Sequence, residues 1–189
     1  MKKRIITIAG RPGSGKSTTA KAVAAQLGYQ HFSSGDLFRA LARERGIDLL
    51  TANLSAEENA EIDHAVDGRL REMGASEDQL VVDSRTAWHW MPDSFKVFLD
   101  LDLAVAAERI LSSMDDERLA SEHISRDPVE YATVLQQRLD SETRRYRKLY
   151  GIDPYTTANY DLVVDTKAND IDTTIQLVLR QYDEWLKAE

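Results

Sequence analysis

The stretch "IITIAGRPGSGKSTTAKAVAAQLG" places Gly10, Gly13 and Gly15 directly ahead of Lys16 and Ser17. Gly10-x-x-x-x-Gly15-Lys16-Ser17 matches in full the pattern of a loop that wraps polyphosphate. Such a loop offers successive backbone N–H groups, and side chains at the glycines would block their approach. The helix that follows adds its unpaired N-terminal amides and the positive end of its dipole. Lys16 reaches the β and γ phosphates as a flexible point charge, and Ser17 offers an oxygen to Mg²⁺. The run Gly10, Arg11, Pro12, Gly13, Ser14, Gly15, Lys16, Ser17 and Thr18 is therefore assigned to a nucleoside triphosphate, expected to be ATP. Asp83 ends the apolar run "LVVD", and an acid at a strand end can hold Mg²⁺ directly or through water.

Transfer of a phosphoryl group to a second phosphate must bring two polyanions together. Guanidinium groups solve this, because they bind phosphate in a bidentate manner and stay charged. Arg39 and Arg85 lie just beyond the C-terminal ends of two expected strands, the edge where open parallel sheets bind ligands. Arg138 and Arg145 are seven apart on one expected helix, about two turns, and share a face with Glu142 between them. Arg43, Arg45, Arg69, Arg71 and Arg147 read as surface charges. Trp88 and Trp90 read as packing residues, and His31, His64, His89 and His123 show no metal-ligand spacing.

The elements that must position these residues alternate. Strands are expected over 4–9, 29–34, 79–84, 94–102 and 160–166, and helices over 16–28, 35–46, 54–74, 103–114, 128–151 and 170–187. Ser55 with Glu58 predicts a capping box, and Pro128 a first helical turn. The alternation predicts an α/β fold of P-loop NTPase type, a five-stranded parallel sheet with helices on both faces. A single domain over 1–189 is expected, with a substrate-binding region at about 33–75. The polar stretch at about 112–127 is expected to be a mobile lid.

Composition narrows the partners. The chain has 189 residues, no cysteine and a net charge of −8. The acidic balance argues against a nucleic-acid polymer, and the missing thiols fit the cytosol. The apolar run in "MKKRIITIAG" stops short of the roughly 7–15 residues of an export signal. No run reaches the ~18 apolar residues of a membrane span. A cytoplasmic monomer acting on a small molecule is expected. The guanine-selecting Asn-Lys-x-Asp of GTPase switches is replaced by "TKAND", and the short chain favours a kinase over a motor-type ATPase.

"ITIAGRPGSGKSTTAKAVAAQLG", "FSSGDLFRALARERGIDL", "VVDSRTAW", "AERI" and "QQRLDSETRRYRKLYGID…YDLVVDT" together resemble the cytidylate kinases, in the short form common in archaea. The resemblance runs from Arg4 to about Leu179. It implies transfer of the γ-phosphate of ATP to CMP or dCMP, with Mg²⁺, beneath a closing lid. It implies that Ser34 and Arg39, in Ser-Gly-x-x-x-Arg, sit on the acceptor side, with Arg39 on the acceptor phosphate. Arg85 matches a second acceptor contact. Arg138 and Arg145 match arginines that meet the phosphates, and Glu142 matches the acid that contacts the sugar. Lys16, Arg138 and Arg145 are thus expected as catalytic residues that spread the developing charge, and Ser17 with Asp83, read above from the loop and the strand end, as the Mg²⁺ contacts. Three positions depart from the family's pattern. Ser84 replaces a usual Gly, Thr86 stands where the longer bacterial enzymes have a base-reading acid, and Ser113 stands where a basic lid residue is common. Arg118 and Arg126 are both candidates to replace that lid residue. UMP, AMP, a hydroxylated metabolite such as shikimate or gluconate, and a nucleotide-binding module without transfer activity remain as alternatives.

Overall fold

Strand β1 (Ile5–Gly10) is buried along its whole length in this computed structural model, which describes residues 2–46, 60–115 and 124–188. It pairs in parallel with β3 (Leu80–Asp83) on one side and β4 (Phe95–Asp100) on the other. Strands β2 (Gln30–Ser33) and β5 (Leu162–Asp165) complete a five-stranded parallel sheet in the order β2-β3-β1-β4-β5. Parallel strands covered on both faces read as near-continuous apolar runs, which is how "IITIA", "LVVD" and "FKVFL" present themselves.

Alternation along β1 divides the core. Ile6 and Ile8 face helices α1 (Lys16–Leu27) and α7 (Ile171–Lys187), packing with Val23, Ile175, Val178 and Tyr182. Ile5 faces the opposite layer, packing with Ala42 of α2 (Ser34–Glu44) and with Ile62, Leu70 and Met73 of α3 (Ala60–Ser76). A short helix α4 (Ala87–Trp90), absent from the sequence expectations, closes that layer. Helix α5 (Leu103–Ser113) packs on α6 (Pro128–Tyr150) through Ala106, Ala107, Tyr131 and Leu135.

Several local expectations shift by a residue or two. Asp127 caps α6 by accepting from Val129 N–H at 2.8 Å, with Pro128 in the first turn and Gly151 at φ 70° ending the helix. Ser33, not a later residue, caps α2, so β2 stops one residue earlier than expected and Ser34 opens the helix. Ser55 and Glu58 lie outside the described residues, as do residues 116–123 of the expected lid, Arg118 among them. The described start of that segment is still helical through Ser113, with the hydroxyls of Ser112 and Ser113 bonding back to the carbonyls of Arg109 and Ile110 at 2.9 and 2.8 Å. Among the described residues no helix is long and apolar enough to cross a membrane.

Candidate active site

The glycine loop turns between β1 and α1. A Cβ at Gly10, where φ is 152°, would lie 2.3 Å from the Leu99 carbonyl oxygen on β4. One at Gly13 would press on the Ala106 backbone of α5 at 3.2–3.3 Å. Packing alone thus requires Gly10, while Gly13 is favoured by its left-handed backbone at φ 70° and a tight approach to α5, reasons the phosphate-cradle reading of the sequence does not contain. Arg11 N–H donates to Leu99 O at 3.1 Å, which lays the loop along the end of β4.

Helix α1 differs from α2, α5, α6 and α7, each of which has a side-chain cap; its N-cap is Gly15 in the left-handed region, with no side-chain cap and no acid in the first turn. The first bond into the helix is Thr19 N–H to Gly15 O at 2.9 Å, so the amides of Lys16, Ser17 and Thr18 precede the hydrogen-bonded ladder. That arrangement suits an anion. Lys16 folds back over the loop, its Nζ donating to Arg11 O at 3.3 Å. Desolvation of the half-buried ammonium, reinforced by the nearby Arg85 charge, lowers its pKa to about 8.

Parallel register puts Asp83 beside Ile8 and Ser33 at the C-terminal edge. Its buried carboxylate accepts a hydrogen bond from the Ser17 hydroxyl. A hydroxyl and a carboxylate together form a hard oxygen donor pair, which fits Mg²⁺ completed by water and phosphate oxygens. No group of three or more His, Cys, Asp or Glu suited to a metal exists among the described residues, so the fit rests on this pair.

The second cation group gathers on Glu142 of α6. Arg85 Nε lies 2.6 Å from its Oε2, and Arg138 Nε donates to its Oε1 at 3.1 Å. Tyr155 donates its phenol to Oε2 and accepts from Arg85 Nε at 3.3 Å. Burial would raise the Glu142 pKa; Arg85, Arg138 and the Tyr155 hydrogen bond outweigh it and hold the carboxylate at about 2. Charges on Arg85, Asp83, Glu142 and Arg138 all act on Lys16, so the two groups share one electrostatic site.

Not every expected residue joins them. Arg145 turns to α3, with Nε 3.4 Å from Asp63 Oδ2 and the guanidinium 4.9 Å from the centre of the Tyr146 ring. Seven residues along a helix is a rise of about 10 Å, so a shared face with Arg138 does not mean a shared partner. Arg39 pairs within its own helix, with Asp36, and is half exposed. Ser34 sits at the start of that helix. Arg11 is held by Asp100 at 2.7 Å. Asp102, with no role expected of it, caps α5 through Ala104 N–H and Val105 N–H. Arg126 is exposed just ahead of α6. Arg71 is more than a surface charge, because its guanidinium lies 3.9 Å from the centre of the Trp90 ring. Trp88 and Trp90 do pack, against Tyr160 and Tyr150.

Tyr155 was not legible in the sequence, since it lies in a loop thirteen residues after Glu142 with no periodic relation to it. It orients both Glu142 and Arg85, which makes it a positioning residue. For the reaction that the sequence resemblance implies, Tyr155→Phe is expected to raise KM for the phosphate acceptor about tenfold while KM for ATP and kcat stay within twofold, as steady-state kinetics would show.

Beside Arg11, a cleft of about 450 Å³ opens between the loop after β4 and the loop after β5, lined by Asp100, Asp102, Leu103, Asp165 and Lys167. Arg109 ties these parts together by donating to Thr166 O at 2.8 Å.

Comparison with known proteins adds a family. The profile of the cytidylate kinase-like family matches residues 5–168. A cytidylate kinase of Halobacterium salinarum is 38% identical over 184 residues, covering 96% of this chain and 90% of that protein. One of Methanopyrus kandleri is 34% identical over 196 residues, covering 98% and 96%. Among solved structures, a shikimate kinase from Bacteroides thetaiotaomicron matches with a TM-score of 0.62 at 15% identity, covering 95% of this chain and 98% of that one. A gluconokinase from Sinorhizobium meliloti matches at 0.58 and 19% identity, covering 97% of each. At such identities the structural likeness speaks for the fold.

Proposed function

This chain belongs to the cytidylate kinase-like family, and we propose that it transfers the γ-phosphate of ATP to CMP or dCMP, giving ADP and the diphosphate. The observation that carries this reading is the second cation group. Arg85 and Arg138 meet on Glu142 within electrostatic reach of Lys16, which suits a phosphate-bearing acceptor facing the triphosphate. A plain alcohol acceptor would not call for those charges.

In this reading a phosphate oxygen of the acceptor attacks the γ-phosphorus in line. The bond to the β–γ bridging oxygen breaks, and ADP departs with the electron pair. The acceptor oxygen is already a competent nucleophile, so neither a base nor a covalent enzyme intermediate is involved, and catalysis is positioning with charge neutralisation. Lys16 and the α1 amides hold the triphosphate, from Gly10 to Thr18. Arg39, Arg85 and Arg138 take the acceptor phosphate, Glu142 the sugar, and Ser34 supports the acceptor side. Arg145, which pairs with Asp63 in this structure, is assigned with Arg138 to the phosphates, where the two arginines spread the developing charge. Mg²⁺, held by Ser17 and Asp83, would supply further neutralisation of phosphate charge. The cleft beside Arg11 gives the nucleoside of ATP room to extend. The segment at about 112–127 closes as a lid, excluding water that would otherwise hydrolyse ATP. The substrate-binding region at about 33–75 belongs to the same single domain, and the chain acts as a cytoplasmic monomer.

A coupled ADP-release panel with CMP, dCMP, UMP, AMP, shikimate and gluconate tests the reading. CMP and dCMP are expected to give the highest kcat/KM. Turnover of shikimate or gluconate in preference to every nucleotide would overturn it, and tight ATP binding with no acceptor-dependent ADP would point to a binding module.

A further inference from the structure

Buried polar atoms in folded proteins nearly always find partners, and those that do not call for an explanation. Among the described residues eight buried side-chain atoms have none, and five of these lie where α3, α4 and α6 meet: Asp63 Oδ2, Asp67 Oδ2, Trp90 Nε1, Arg145 Nε and the Tyr150 hydroxyl. Asp63 and Asp67 are 5% and 2% exposed, a degree of burial at which an unpaired carboxylate oxygen is costly. They stand one helical turn apart on α3 and so share a face.

Asp67 is held in place from one side only. Thr86 donates to its Oδ1 at 2.9 Å, and Ser84 in turn accepts from Thr86 N–H at 3.2 Å. Its Oδ2 is left over. Tyr150 directs its hydroxyl at this carboxylate, which together with burial raises the phenol's pKa, but the pair falls short of full hydrogen-bond geometry. Asp63 faces Arg145 at 3.4 Å, also without hydrogen-bond geometry. Asp63 Oδ2 thus has an ion-pair partner in Arg145 and Asp67 has Tyr150 beside it, but neither contact is a formed hydrogen bond, so each can be exchanged for a better-aligned partner.

The position matters as much as the count. Thr86 follows Arg85 directly in the chain, and Arg145 lies three residues after Glu142 on α6. The unpaired group thus continues the row of residues to which the acceptor phosphate and sugar are assigned. A cytosine edge presents an exocyclic amine donor beside ring acceptors, whereas uracil presents a carbonyl acceptor where that amine would be.

We propose that Asp63 and Asp67 are the residues that set base specificity, their unpaired oxygens accepting the exocyclic amine of cytosine while Tyr150 donates to the ring. The assignment rests on the CMP kinase reading given above. Against uracil the same oxygens would face a carbonyl and stay unpaired, and a site built to hydrogen-bond rejects the analogue that cannot.

The test compares kcat/KM for CMP and UMP in the unaltered protein, Asp63→Asn and Asp67→Asn, with thermal unfolding followed in parallel. An amide can present either an oxygen or an N–H₂ group, so discrimination should collapse. The CMP-to-UMP ratio is expected to fall about 10- to 100-fold in each variant, with KM for ATP unchanged. A ratio kept within threefold in folded variants would overturn the proposal while leaving CMP kinase activity intact. An unaltered protein that fails to phosphorylate CMP would overturn both. Should the variants not fold, the unaltered protein with CMP dimethylated at the exocyclic nitrogen decides the matter. Turnover reduced about 100-fold is expected, and turnover equal to that of CMP would overturn the proposal.

Discussion

Lys16→Ala is expected to lower kcat by about 10³-fold or more without lowering the thermal unfolding midpoint. In the proposed reading Lys16 is the flexible cation at the triphosphate, and no other lysine lies in the glycine loop to replace it. Its position is unfavourable to the empty fold. Desolvation, with Arg85 nearby, brings its pKa from 10.5 to about 8. A base whose folded pKa lies below its unfolded one penalises the folded state fully below the folded value. The penalty is relieved as pH rises from about 8 to 10.5. The variant's stability relative to the unaltered protein should therefore be highest below pH 8 and lose that advantage towards pH 10.5. Coupled ADP release and calorimetry across that range check both parts. Near-normal turnover by the variant would sink the assignment of Lys16, and unfolding of the variant would sink the account of its charge.

Glu142→Gln has the second large expected effect, on stability and on the acceptor together. The carboxylate sits among Arg85, Arg138 and Tyr155, with only 10% of its side chain exposed. Removing one partner of a buried pair leaves the other charge uncompensated, here that of Arg85, at a cost of roughly 3 kcal/mol. The pH dependence identifies the cause. Glu142 has a folded pKa of about 2 against 4.5 unfolded, so its contribution is fully present above 4.5 and is lost as pH falls through 2. Denaturant titrations should show a gap between the two proteins that is constant near neutrality and closes between pH 4.5 and 2. Turnover should fall too: kcat/KM for CMP is expected to drop about 10- to 100-fold, the loss of a hydrogen bond to a charged group. A gap independent of pH would mean that packing, not charge, accounts for the loss.

The sequence by itself determined the parts of this protein that lie close together in the chain. Gly10 to Thr18 form a strand-turn-helix unit whose function is written in consecutive residues. The apolar runs announced five parallel strands, and with them the edge where Asp83 meets Ser17. Arg138 and Glu142 are four apart on one helix, so periodicity alone brought them together. Membership of the cytidylate kinase-like family was visible in the same motifs. Tertiary packing decided what periodicity cannot. A helix's spacing says which residues share a face, not which neighbour that face meets, and so Arg145 turned to Asp63 of α3 and Arg39 to Asp36. Tyr155 reaches Glu142 from a loop with no period to read. Gly10 is required because β4 comes close enough to exclude a Cβ, a contact between segments some ninety residues apart. The group of Asp63, Asp67 and Tyr150 exists only because side chains of α3 and α6 meet, and burial there leaves polar atoms short of formed hydrogen bonds.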